Sequence, residues 1–198
     1  MHVQILIYDG FDELDAIGPY EILSGAGFRT ELATLAPVGR ITASHGAVLV
    51  PHATLAERPD LLVVPGGGWR TRNPVGTHGE YERGVIPAAI AQRHAAGSTV
   101  ASVCTGAMLL AKAGILEGRP ATTHHAALDD LRAHGADVHP EARVVDDGDV
   151  LTCGGVTSGL DLALHLVERH LGPDAARAGA RLLEHERRGE VFEARAVR

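Results

Sequence analysis

Cys104 is the residue best suited to covalent chemistry in this sequence of 198 residues. It stands in Thr99–Leu116, TVASVCTGAMLLAKAGIL. There an apolar, β-prone run through Val100 and Val103 stops at the cysteine, and a helical pattern opens at Ala107. A buried strand that turns sharply into a helix exposes its turn residue at the carboxyl end of the sheet, where the free N–H groups of the helix start favour an anion. The pattern predicts a nucleophile elbow with Cys in place of Ser. It also predicts a thiol pKa below the roughly 8.5 of a free cysteine. Gly106 is expected to let the backbone turn tightly beneath the sulfur. The plainer alternative is a small buried core cysteine.

Three further stretches carry groups that such a thiol can use. Asp15 falls on the apolar register of Glu13–Ala26, where a carboxylate is costly without a partner; an N-cap or first-turn acid favoured by the helix dipole is the alternative. Pro65-Gly66-Gly67-Gly68-Trp69 follows the apolar run Leu61–Val64. Glycines there let backbone N–H groups approach a ligand, so Gly66 or Gly67 is a candidate arm of an oxyanion hole. Neither GK[ST] nor GxGxxG occurs, which excludes a phosphate-binding glycine loop. His124 and His125 end what reads as a short strand at Ala121–Thr123.

The elements that must position these groups alternate. Val3–Tyr8, Phe28–Ala36 and Leu61–Val64 read as strands, the first and last as runs buried on both faces. Ile41–Pro51 reads as a hairpin or edge strand. Helices are expected over Glu13–Ala26, with a kink or late start at Gly18-Pro19, and over Glu80–Ala96 and Ala126–His134, the last with Gly135 as its C-cap. Short strands follow at Val138, Arg143–Val145 and Val150–Thr152, with Asp146–Asp149 as a turn. Then come a helix over Leu160–Leu171 capped by Thr157 or Ser158 and a last helix to about Glu186. Trp69–Gly79 is polar and turn-rich, a rim or lid. The expected fold is α/β: a three-layer α/β/α sandwich with a mainly parallel central sheet, flavodoxin-like, forming one domain over residues 1–198. In such a sheet the site lies outside the carboxyl ends of the strands, where Cys104, Gly66–Gly68, Thr123–His125 and Asp15 converge.

Composition narrows the function classes. The net charge of −7, without a basic run, argues against a nucleic-acid surface. The opening MHVQILIYDG runs straight into a strand and is not expected to be a signal peptide. No apolar stretch approaches the roughly 20 residues that span a bilayer. Cys104 and Cys153 have no CxxC spacing, and the twelve histidines are scattered without a metalloprotease-like spacing. A reduced, cytoplasmic setting without a cofactor or a metal is expected, with Cys153 structural and a Cys104–His124–His125 metal site not expected.

Four segments carry a family resemblance: ELDAIGP at Glu13–Pro19, VVPGGG at Val63–Gly68, ASVCTGAMLLAKAGILEGRPATTHH at Ala101–His125, and GGVTSGLDLALHLVE at Gly154–Glu168. Together they resemble the ThiJ/PfpI superfamily, within the class I glutamine amidotransferase-like fold. ELDAIGP, VCTG and GGVTSG resemble the isocyanide hydratase branch and, equally, the amidase-like domain of AraC-type regulators. The resemblance implies that Cys104 is the nucleophile and Asp15 the acid that hydrogen-bonds it. It also implies that Gly67 and Thr105 supply the oxyanion-hole N–H groups, and that His124 stands where some glyoxalase- or chaperone-like branches keep a histidine. PfpI-type peptidases place a histidine directly after the cysteine. Thr105 stands there instead, which argues against a peptidase.

The implied reaction is addition of the thiolate to a small-molecule isocyanide, giving a thioimidate that water converts to an N-substituted formamide. A protonated Asp15 would donate a hydrogen bond to the sulfur, whereas an ionised one would raise its pKa; both states are open at this point. Two alternatives remain: action on α-oxoaldehydes with His124 as base, and a redox- or ligand-sensing domain with an oxidisable Cys104. AraC-type regulators continue into a basic helix-turn-helix domain beyond the point where this sequence ends, so direct DNA binding is not expected. A homodimer is expected from the resemblance.

Overall fold

The apolar runs become the centre of one sheet. In the computed structural model, which describes residues 1–194, strand β1 (His2–Leu6) leads into helix α1 (Glu13–Gly25) and strand β2 (Arg29–Thr34). A small antiparallel pair, β3 (Ile41–Thr42) and β4 (Val48–Leu49), precedes the edge strand β5 (Ala53–Thr54). Strand β6 (Leu61–Val64) is buried at every position, as a strand covered on both faces requires. Helices α2 (Thr77–Arg83) and α3 (Val85–Ala95) lead to β7 (Thr99–Ser102), then a 3₁₀ turn at Cys104–Gly106 and helix α4 (Ala107–Lys112). Next come β8 (Pro120–Ala121), α5 (Leu128–Ala133), β9 (Asp137–Val138), β10 (Ala142–Asp147), β11 (Val150–Cys153), α6 (Ser158–Leu171), α7 (Pro173–Leu182) and β12 (Glu190–Glu193).

The main sheet has the order β12-β10-β11-β7-β6-β1-β2-β5, parallel except for the β10–β11 hairpin. Helices α1, α6 and α7 cover one face, and α2 to α5 the other. This is the expected three-layer α/β/α sandwich. Met108, Leu109 and Leu110 of α4 are fully buried; each contributes roughly 1.5–3 kcal/mol of burial free energy.

Several boundaries depart from the sequence reading. The single helix expected over Glu80–Ala96 is two, because Gly84 takes a left-handed conformation with φ at +73°. Helix α1 neither starts late nor stops at Pro19: it runs through from Glu13. Small residues set its position: a Cβ on Gly18 would lie 2.9 Å from Leu160 Cδ2, so the glycine lets α1 press against α6. The last helix ends at Leu182, not near Glu186, and the exposed stretch after it forms the unforeseen edge strand β12. Strands β8 and β9 pair with each other as a separate two-stranded sheet beside β10 and β11. Thr157 does not cap α6 with its side chain; its hydroxyl accepts from Arg143 instead. Residues 195–198, the end of the expected domain, lie outside the described residues.

Candidate active site

The end of β7 bends as a nucleophile elbow should. Cys104 has a positive φ, +56°, a conformation that costs a non-glycine residue on the order of 1–3 kcal/mol. Its neighbours hold it there: the Cys104 N–H donates to Gly154 O at 3.0 Å, and Thr123 Oγ1 donates to Cys104 O at 2.8 Å. Gly106 serves differently from the expectation. Its φ is −55°, an ordinary helical value, so the left-handed turn is made by the cysteine itself. What Gly106 supplies is room, because a Cβ there would sit 2.2 Å from Val64 O.

Asp15 is fully buried and is not a cap; Asp12 caps α1 by accepting the Leu14 N–H. Asp15 Oδ2 accepts the Gly66 N–H at 2.9 Å. Oδ1 is buried without a well-directed partner, and the Cys104 thiol is the side-chain donor beside the carboxyl. Burial, reinforced by the charge of Asp12, pushes the Asp15 carboxyl up to about 8. The thiol shifts against expectation. Burial first, then the Asp15 carboxylate, push Cys104 up to about 12, outweighing the N–H groups of Val156 and Thr105 directed at the sulfur. Two buried acids side by side titrate as a pair, and the favoured state at neutral pH is the uncharged one.

The glycine loop is more fully engaged than its sequence implies. Gly66 N–H is held by Asp15, and the Gly67 N–H donates to Thr105 Oγ1 at 3.0 Å. Both glycine amides are thus engaged within the protein, Gly66 by a carboxyl and Gly67 by a hydroxyl. The loop is braced from beneath by Tyr8, whose hydroxyl donates to Pro65 O at 2.6 Å and lies 2.9 Å from Thr77 Oγ1; burial raises its pKa.

His124 and Cys104 line one cleft of about 410 Å³, with Asp12, Ser44, Trp69 and Arg70 among the other walls. No hydrogen bond joins His124 to the cysteine among the described residues. Its Nδ1 accepts the Ala126 N–H at 3.1 Å, leaving Nε2 as the protonated nitrogen of the neutral ring. Burial, then His125 and Arg70, hold its pKa below the ordinary value. The Trp69 end of the expected rim forms part of the cleft wall. Over the opposite lip, Glu13 Oε1 accepts the His45 N–H at 2.8 Å and ties the β3–β4 turn to α1.

Two contributors escaped the sequence reading. Val156 stands at a φ of +41° and turns its N–H to the sulfur; the Gly154-Gly155 pair before it was the available signal, a tight loop after a buried strand. Asp130 accepts from the Trp69 indole Nε1 at 2.6 Å, a pairing 61 positions apart with no local signature. Cys153 is fully buried in β11 and its thiol pKa is raised by burial. Among the described residues no cluster of His, Cys, Asp or Glu is arranged to hold a metal ion, and no helix is long and apolar enough to cross a membrane.

Residues 1–169 match the model of the DJ-1/PfpI family. An isonitrile hydratase of Pseudomonas putida is 34% identical over 187 residues, 93% of this chain and 78% of its own. A deglycase of Thermococcus kodakarensis is 34% identical over 152 residues, 75% of this chain and 86% of its own. The crystal structure of a ThiJ/PfpI family protein from Pseudomonas syringae superposes with a TM-score of 0.79 at 29% identity, covering 94% of this chain and 76% of that one.

Proposed function

We propose that this chain, which belongs to the DJ-1/PfpI family, is a cysteine-dependent enzyme that hydrates small-molecule isocyanides to N-substituted formamides. The observation that carries this reading is the buried Asp15 carboxyl, pinned at one oxygen by Gly66 with the other unpaired beside the Cys104 thiol. The terminal carbon of an isocyanide is electrophilic and, once attacked, holds a lone pair that needs a proton. A neutral thiol next to a neutral carboxylic acid suits that demand. As Sγ bonds to the carbon, Asp15 gives its proton to the same carbon and takes the thiol proton in return. The product is a thioimidate, Cys104–S–CH=N–R, with no net proton gained or lost.

Water then adds to the thioimidate carbon and the nitrogen is protonated. The C–S bond breaks with its electron pair returning to sulfur, which regains a proton as the formamide leaves. The N–H groups of Thr105 and Val156 stabilise the sulfur while it carries charge. His124 Nε2–H is the donor available to the substrate nitrogen. No oxyanion forms in the first step, so the engagement of Gly67 by Thr105 does not impede it. The 34% identity to an isonitrile hydratase over most of the chain supports the same reading.

The test is hydration of an aryl isocyanide followed by absorbance. Turnover that vanishes in Cys104→Ala supports the proposal, and turnover no faster than that variant sinks it. The homodimer and the single domain over 1–198 belong to this proposal too; light scattering at twice the monomer mass would support the first.

A second reading, action on α-oxoaldehydes, draws on the deglycase relative and on His124 at the cleft wall. It requires His124 to accept a proton, yet Nδ1 is held by Ala126 and Nε2 carries the proton of the neutral ring. Methylglyoxal consumption that is lost in His124→Ala would favour it.

A further inference from the structure

Trp69 is the sole tryptophan of the chain and stands directly after the glycine loop. Its indole is 8% exposed, yet it lines the cleft that holds Cys104. Three neighbours fix it. Asp130 of α5 accepts from Nε1 at 2.6 Å. Tyr81 meets it edge-on, with ring centroids 5.2 Å apart at 83°, and His78 lies against it at 5.4 Å. Tyr81 is in turn held by His134 at 3.0 Å and by Lys112 over its ring. A tryptophan whose polar edge is satisfied and whose ring is wedged on other aromatics presents a rigid apolar plane at little further entropic cost.

The rest of the cleft wall offers nothing comparable. Ser44, Thr71 and Asn73 are polar, Gly67, Gly68 and Ala126 are small and Val156 is a short aliphatic, so Trp69 is the largest apolar side chain among the described lining residues. The volume of about 410 Å³ falls within the roughly 300–1,000 Å³ typical of small-molecule sites. The Cys104 thiol and the Trp69 indole line the same space. We infer that Trp69, positioned by Asp130, is the specificity-determining wall of this cleft and selects substrates whose substituent is a planar aromatic ring. The inference rests on the hydratase reading for the reacting group, but the preference for a planar substituent can be read without turnover.

Two product-like ligands of similar size separate planarity from bulk: benzylformamide and cyclohexylmethylformamide. Calorimetric titration should give about three- to tenfold tighter binding of the benzyl compound to the wild-type chain. The emission of Trp69, the only tryptophan, should shift on binding it. In Trp69→Leu the ratio should fall to about one. Asp130→Asn, which keeps an acceptor oxygen, should retain the preference, and Asp130→Leu should weaken it. Equal affinities in the wild type, no binding of either ligand, or an unchanged ratio in Trp69→Leu would overturn the inference. Absence of Cys104-dependent isocyanide turnover beside an intact benzyl preference would instead overturn the hydratase reading and support the planar wall.

Discussion

Asp15 Oδ2 accepts the Gly66 N–H at 2.9 Å, while Oδ1 is buried without a partner and the Cys104 thiol lies beside the carboxyl. This hydrogen bond joins the glycine loop after β6 to the first turn of α1, and the same carboxyl stands beside the elbow after β7. Asp15→Asn keeps an acceptor for Gly66 and removes the exchangeable acid. It is expected to lower kcat/KM for an isocyanide by about 10²–10⁴, the usual contribution of a positioned proton donor. Because the Asp15 charge raises the thiol, the same substitution should move the onset of Cys104 alkylation by iodoacetamide to lower pH than in the wild type. A faster thiol with slower catalysis is the expected signature.

The pH profile follows from the same pair. Asp15, raised by burial to about 8, must be protonated to supply the carbon with its proton. Log kcat/KM should be level below pH 7 and fall as pH rises through about 8. A profile that rises through this range would mean that ionisation of the thiol, not the acid, limits the rate.

Stability should carry the opposite mark of a buried carboxyl. Asp15 binds its proton more tightly when folded, with its pKa raised from 3.8 to about 8. Its favourable contribution is therefore complete below pH 4 and is lost as pH rises from about 4 through about 8. Asp15→Asn has no such loss. Scanning calorimetry should show its Tm gaining on the wild type between pH 5 and pH 8.5.

Glycine substitutions separate room from flexibility. Gly106→Ala would bring a Cβ to 2.2 Å from Val64 O, a backbone atom that cannot yield cheaply. It should destabilise the chain by more than the ~1–3 kcal/mol usual for overpacking. Gly25→Ala, at the end of α1, meets nothing within 4 Å and should stabilise it by ~0.5–1 kcal/mol through helix propensity. Denaturant midpoints of the two variants check both signs.

The elbow was legible because its signal is local: an apolar run, a cysteine, then helical periodicity within a few residues. Asp15 was legible because a carboxylate on an apolar register needs a partner, although the partner's identity came only with the family resemblance. The pKa of Cys104 was not legible. Proximity to a helix start can be read from spacing, but burial beside a second acid depends on α1 crossing the end of the sheet. The engagement of Gly67 by Thr105 and the N–H of Val156 likewise depend on how three strand ends meet. The edge strands β5 and β12 escaped because one has two residues and the other is partly exposed, so neither carries the apolar run that marked β6. Gly84 split one expected helix because a glycine inside a helical pattern leaves its own φ undetermined.

The covalent step is the claim on which the rest depends, and intact-mass spectrometry after rapid acid quench tests it directly. With an aryl isocyanide, the wild-type chain but not Cys104→Ala should gain the mass of one whole isocyanide molecule before the formamide accumulates, since the S–H bond adds across a single carbon. Formamide that accumulates while Cys104 stays unmodified at every time point, or at the same rate in Cys104→Ala, would contradict the account.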